Sequence, residues 1–250
     1  AHGHSSSLKG AAWHADGRFA DGGCLESAAG YPVADESHGL HIKRSPALSP
    51  AGAFSAEMWI KPKATEAFPD EVQPMLLDMK YVPDNHTGFM FSMSRSNKGG
   101  PRSLALEIGL GTRSERWYSN PFSLEASRWY HVAFTYDGAG SAAFFLDGSK
   151  IGESTQAGAG SMAAAIRDLS IGDRIGSLYR GFPGFIDEVR LTSGVREFQP
   201  LGLKADLSHF AFQRMSEGAR LRATLINQTG APVKASTATI ELPGGIEQPL

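Results

Sequence analysis

Two stretches of strict two-residue alternation, each ended by a turn signal, constrain the fold of this chain more than any other feature. Phe54, Ala56, Met58 and Ile60 alternate with Ser55, Glu57, Trp59 and Lys61 until Pro62 closes the run. In residues 129–136, Tyr130, Val132, Phe134 and Tyr136 take one phase and Trp129, His131, Ala133 and Thr135 the other, before Asp137-Gly138. A period of two is that of a β-strand with one face on a core. Two further runs, 143–146 and 149–154, flank Asp147-Gly148. An Asp-Gly pair between short runs marks a hairpin, because a type I′ turn needs positive φ at both central residues. Strands are also predicted at 88–93, 104–110, 169–172 and 185–192, with at most one helical turn, at 161–166. Phe54, Met58, Ile60, Val132, Phe134, Leu146, Ile171, Val189 and Leu191 are the predicted core. The chain therefore reads as all-β.

The 29 glycines and 14 prolines among 250 residues exceed the usual combined share of roughly 12%, and they punctuate short segments rather than long helical ones. With 24 basic against 26 acidic side chains, nothing electrostatic argues for nucleic acid or an anionic membrane. No apolar run approaches the roughly 18–20 residues of a membrane-spanning helix. The single cysteine, Cys24, excludes an intrachain disulfide framework and a CxxC metal site. The chain begins with Ala1 rather than methionine, which fits either a removed leader or a trimmed end.

Five motifs, in order, resemble the laminin-G-like jelly rolls of the concanavalin A-like lectin/glucanase superfamily, from about Gly17 to Glu197. They are the strand from Phe54 to Pro62, the block from Trp129 to Gly138, the hairpin Phe145-Leu146-Asp147-Gly148, the run Leu169-Ser170-Ile171-Gly172, and the run from Gly184 to Leu191. The resemblance implies an antiparallel two-sheet jelly-roll sandwich, with ligands on one sheet face or its rim and calcium nearby. The lack of a cysteine pair favours bacterial forms appended to secreted enzymes, and hence a secreted, cell-surface or periplasmic location. Residues 26–44 are longer than the family's compact strand and turn. Residues 1–9 read as a flexible tail, 10–198 as the jelly roll, and 199–250 as a linker and a partial immunoglobulin-like β unit. That last segment is either cut short or completes a sheet of the first domain.

Candidate site residues follow from phase. Asp187 shares the parity of Val189 and Leu191, so its carboxylate starts on the apolar side and needs a partner. The family resemblance suggests structural calcium there, with Asp173, Asp21 and Asp35 as further oxygen donors; the alternative is a cap on backbone N–H groups. Glu57, Trp59, Trp129 and His131 share the opposite face, where aromatic rings beside polar groups suit a sugar. The other reading packs them beneath loops. Glu188 and Arg190 are in phase with that face, as a cross-strand ion pair. Arg113, Arg116, Trp117 and Tyr118 form an arginine and aromatic segment suited to recognition, as do Tyr179 and Arg180, unless Trp117 and Tyr118 begin a strand.

No catalytic constellation is legible. Retaining glycosidases need two carboxyl groups about 5–5.5 Å apart, and the Glu-x-Asp-x-x-Glu arrangement of the superfamily's glucanases is absent. Asp70 and Glu71 sit in a proline-flanked loop, and His2 and His4 lie at the terminus. The leading expectation is a non-catalytic carbohydrate-binding or adhesive module of a multidomain protein, with a glycan or partner domains as its partners. The alternatives are a glycoside hydrolase or polysaccharide lyase on the same fold, and a structural spacer.

Overall fold

The structure, a computed structural model, describes residues 4–19, 22–27, 38–63, 73–80, 85–96, 100–176 and 181–199, together with four strands between 201 and 249. Two antiparallel seven-stranded sheets pack face to face. The first orders β1 (Ser6–Lys9), β4 (Gly39–Ile42), β13 (Leu169–Ile171), β6 (Met75–Asp78), β7 (Phe89–Met93), β8 (Leu104–Gly109) and β9 (Ser114–Tyr118). The second orders β12 (Ser149–Thr155), β11 (Ser141–Leu146), β10 (Tyr130–Tyr136), β5 (Phe54–Pro62), β14 (Gly184–Ser193), β3 (Cys24–Ser27) and β2 (Ala12–His14). The chain is thus the predicted all-β sandwich. The helical element among the described residues is a 3-10 turn at Pro46–Leu48, while 161–166 is irregular.

The alternation in sequence becomes the division between core and outer face. Phe54 meets Phe89 of the opposite sheet at 5.2 Å between ring centroids and Phe134 of its own sheet at 5.4 Å. Phe91 closes on Phe134 at 4.9 Å. Offset and edge-on ring pairs of this kind add to what burial alone supplies. Of the predicted core, Phe54, Met58, Ile60, Val132, Phe134 and Ile171 are buried, whereas Leu146, Val189 and Leu191 pack against the core while partly exposed. Asp147 and Gly148 hold φ of 49° and 80°, the two positive values that the β11–β12 turn requires.

Residues 6–9, expected in a tail, instead form edge strand β1, paired with β4 from Ser6↔Ile42 to Lys9↔Gly39. Beyond 199, β15 (Leu201–Leu207) pairs with β16 (Leu221–Asn227), and β17 (Thr239–Leu242) with β18 (Ile246–Pro249). Strand therefore begins within the expected linker, and these strands form two-stranded sheets of their own. Among the described residues no helix is long and apolar enough to cross a membrane.

Candidate functional site

Glu57, Trp59 and His131 lie on the outer face of the second sheet, as their phase requires, with His131 directly opposite Trp59. They are nevertheless not an open platform: Trp59 is 5% and His131 1% exposed. The Arg18 guanidinium lies 4.4 Å above the Trp59 ring, with Phe19 edge-on at 5.9 Å. Phe198 packs on His131 at 5.7 Å and on Phe145 at 5.0 Å. Glu57 receives Arg196, Arg190 at 3.5 Å and His131 Nε2 at 3.0 Å. Burial pushes the Glu57 carboxyl upward, but the His131 hydrogen bond and the charges of Arg196, His131 and Arg190 outweigh it and hold it below the usual range. Glu57 and His131 thus form a buried clasp on the segment 196–198 while Trp59 lies under Arg18 and Phe19, the arrangement of the alternative that packs these residues beneath loops. Asp147 sits beside them, accepting the His131 backbone N–H and Arg128 Nη2, both at 2.9 Å. Its own burial raises its carboxyl pKa despite these partners.

Asp187 does not share the phase of Val189 and Leu191. The register runs Asp187↔Trp59 and then Arg190↔Glu57, so β14 spends three steps where β5 spends two. The bulge centres on Glu188, whose φ is 49°. Upstream of it, Ile186 faces the core, while Phe185 and Asp187 pair with the outward-facing Lys61 and Trp59. The predicted Glu188–Arg190 pair is likewise replaced: Arg190 reaches Glu57, and Glu188 is exposed.

Asp187 Oδ2 accepts the Arg18 backbone N–H at 2.6 Å and Oδ1 that of Glu188 at 2.8 Å. Gly17 permits this approach, since a Cβ there would stand 2.6 Å from Oδ2. Asp173, at the end of β13 in the other sheet, accepts the His38 N–H at 2.7 Å, the Ser170 hydroxyl and His41 Nε2 at 3.2 Å. Among the described residues no three His, Cys, Asp or Glu side chains gather as a metal would need. Asp21 and Asp35 lie outside the described residues. Among the described residues the groups that meet the Asp187 carboxylate are backbone N–H donors, as in the backbone-capping alternative. Asp187→Ala should cost about 1.5–3 kcal/mol, as for hydrogen bonds to a charged group. Thermal melts should show the same loss with and without EGTA; a wild-type melt that EGTA lowers and calcium restores would contradict this.

The arginine and aromatic segment forms β9, the edge of the first sheet, and its residues divide by phase. Trp117 is fully buried opposite Leu106, and its Nε1 donates to the Gly140 carbonyl at 2.9 Å, so it is a core residue rather than a recognition surface. Arg116 and Tyr118 face outward. Arg116 pairs with Glu107, which also receives Lys80 Nζ at 2.9 Å. Burial pushes the Glu107 carboxyl up, and the hydrogen bonds from Lys80 and Arg116 more than reverse it. Arg113 is committed to Glu115 and the Gly158 carbonyl. Tyr118, 47% exposed, is the one large aromatic the segment presents to solvent. Tyr179 and Arg180 lie outside the described residues.

A row of side chains that sequence phase only half revealed crosses the outer face of the second sheet beyond Trp59. Lys61, two residues on in β5, extends over two half-buried rings: its Nζ is 4.9 Å from the centroid of Trp129, just before β10, and 4.5 Å from that of Phe185 in β14. Because β10 and β14 flank β5, the rings stand on either side of the lysine. Further along, His14 meets Phe185 edge-on at 5.5 Å, and Glu26 binds both His14 and Lys63. The hydrogen bond from Lys63, with that from His14, holds Glu26 below the usual carboxylate range. Trp129 was legible from its phase. Phe185 was not, because the downstream bulge inverts the parity counted back from Leu191.

Residues 35–199 match the laminin-G family model of the concanavalin A-like lectin/glucanases superfamily, and the chain belongs to that superfamily. Among solved structures it is similar to domain 4 of AbnA, an extracellular GH43 arabinanase of Geobacillus stearothermophilus, in complex with arabinotriose. The identity is 17% and the TM-score 0.53, covering 76% of this chain and 82% of that one. It is also similar to the binding domain of botulinum neurotoxin serotype G, at 13% identity and TM-score 0.56, covering 78% of this chain and 44% of that one. A third is the binding domain of Paraclostridial Mosquitocidal Protein 1, at 13% identity and TM-score 0.52, covering 77% and 45%. No curated protein matches the chain. Likeness at these identities concerns the fold.

Proposed function

We propose that this chain is a non-catalytic carbohydrate-binding module that presents sugar-stacking rings on the outer face of its second sheet. The observation that carries this reading is the pair of half-buried rings, Trp129 and Phe185, on either side of Lys61, with His14, Glu26 and Lys63 alongside. A sugar lays its CH faces on aromatic rings while its hydroxyls take donors and acceptors at their rim, and this row supplies both. Phe185 is held on β14 and Trp129 directly before β10, neighbours of β5 in one sheet, so little ordering is needed on binding. The arabinotriose held by the similar AbnA domain supports the class of ligand. Such a module would serve a secreted or cell-surface protein by holding it against a polysaccharide.

A glycan array followed by calorimetry with arabinotriose and the array's best binders tests the reading. Trp129→Ala combined with Phe185→Ala should weaken binding of whichever glycan is retained at least tenfold, since truncated aromatic anchors commonly cost 2 kcal/mol or more. The melting temperature of the variant guards against simple unfolding, and a reducing-sugar assay on the same samples should stay at background. Retained affinity in the double variant, or release of reducing ends, would count against the proposal.

A further inference from the structure

Among the described lysines, the exposed Lys9 on edge strand β1 apart, Lys61 differs from the rest. Lys43, Lys63, Lys80 and Lys150 each meet a carboxylate, at Asp168, Glu26, Glu107 and Glu153. Among the described residues Lys61 has no acidic partner, and its ammonium lies over the faces of Trp129 and Phe185. Two acids of this face are already committed: Glu26 to Lys63 and His14, and Asp187 to the backbone N–H groups of Arg18 and Glu188. A half-buried ammonium between two rings has lost part of its hydration, and ring quadrupoles replace only some of it. An anion entering between the rings would complete it.

Resting on the carbohydrate reading, we infer that the ligand is an acidic glycan, whose sugars stack on Trp129 and Phe185 while a carboxylate or sulfate group on one of them meets Lys61 Nζ. The flanking rings fix where the sugar faces lie, and the lysine between them selects the charge. A charge-assisted contact of this kind is roughly twice as strong as a neutral hydrogen bond, and it weakens with salt where the site is partly exposed.

The test compares three probes by calorimetry: trigalacturonate, its carboxyl-reduced neutral counterpart and a sulfated galactan trimer, with arabinotriose as a further neutral sugar. At least one acidic trimer should bind about tenfold or more tighter than the reduced trimer, with an advantage that shrinks as salt rises, and the better of the two acids assigns carboxylate or sulfate. Lys61→Met, which keeps the chain between the rings, should bring the acidic-to-neutral ratio near one. Lys43→Met, an equal charge loss on the other sheet, should leave it unchanged. Equal binding of acidic and neutral trimers, binding of neutral sugars only, or a ratio that survives Lys61→Met overturns the inference and leaves the carbohydrate reading standing. Failure of every probe and of the glycan array overturns both.

Discussion

Replacing Trp117 by alanine should destabilise the sandwich by about 3–5 kcal/mol, the range for large aromatic to alanine changes in a packed core. The indole is fully buried between the sheets, at 5.3 Å from Tyr136, and its N–H satisfies the Gly140 carbonyl. Truncation leaves a cavity and removes one of the two donors to that carbonyl, which also accepts the Gln156 N–H. With about 2–4 °C of melting temperature per kcal/mol for a chain of this size, the shift should be on the order of 10 °C. Thermal or urea unfolding followed by circular dichroism measures it. Tyr118→Ala, one residue along and on the opposite face, should change stability by only about 0.5 kcal/mol or less. Similar losses at the two positions would contradict the register of β9.

The second large effect is expected at Glu57. Glu57→Ala leaves His131 buried and takes the carboxylate from Arg190 and Arg196. Breaking a buried ion pair commonly costs about 3–5 kcal/mol, but side-chain exposures of 57% for Arg190 and 32% for Arg196 reduce this to about 2–3 kcal/mol. The sign of the pH dependence follows from the lowered carboxyl pKa. A depressed folded-state value adds stability that is complete above the unfolded value of about 4.3 and is lost as pH falls through the folded one. Glu107 behaves alike, held down by Lys80 and Arg116 against its burial. Wild-type stability should therefore fall steeply below about pH 4.3, and Glu57→Gln should flatten that fall. Asp147, raised by burial, acts in the opposite direction, favouring the fold as it protonates. A Glu57 variant whose acid unfolding curve keeps the wild-type slope would contradict the clasp. Because Glu57 lies beneath Arg196 rather than in the ring row, its loss should lower stability far more than glycan affinity.

Much of the fold was legible because two central strands of the second sheet, β5 and β10, alternate without interruption and end at Pro62 and Asp137. The Asp147-Gly148 turn was equally plain, since few residue pairs accept two positive φ values. What phase could not supply was the behaviour of irregular backbone. One extra residue at Glu188 moves Asp187 from the core side to the outer face, where it accepts backbone N–H groups, and with it Phe185, which hid half of the ring row. Phase also says which face a side chain takes but not whether another segment covers it. Trp59 and His131 were assigned the correct face, yet Arg18, Phe19 and Phe198 lie over them. Trp117 shows the converse: a tryptophan among arginines in sequence is a core residue once β9 is in register with β8. The edge strand β1 escaped notice because its short run of small and polar residues carries no core face, its burial being exposed throughout.

Titrating the acidic trimer that binds tighter, trigalacturonate or the sulfated galactan, into isotopically labelled protein and following the backbone and indole N–H resonances tests the central claim most directly. The account predicts that the largest shifts fall on the Trp129 indole and on the amides of Lys61 and Phe185, with lesser ones at His14 and Lys63. Saturable shifts confined to the edge around Arg116 and Tyr118, or no saturable shift anywhere on the outer face of the second sheet, would contradict it.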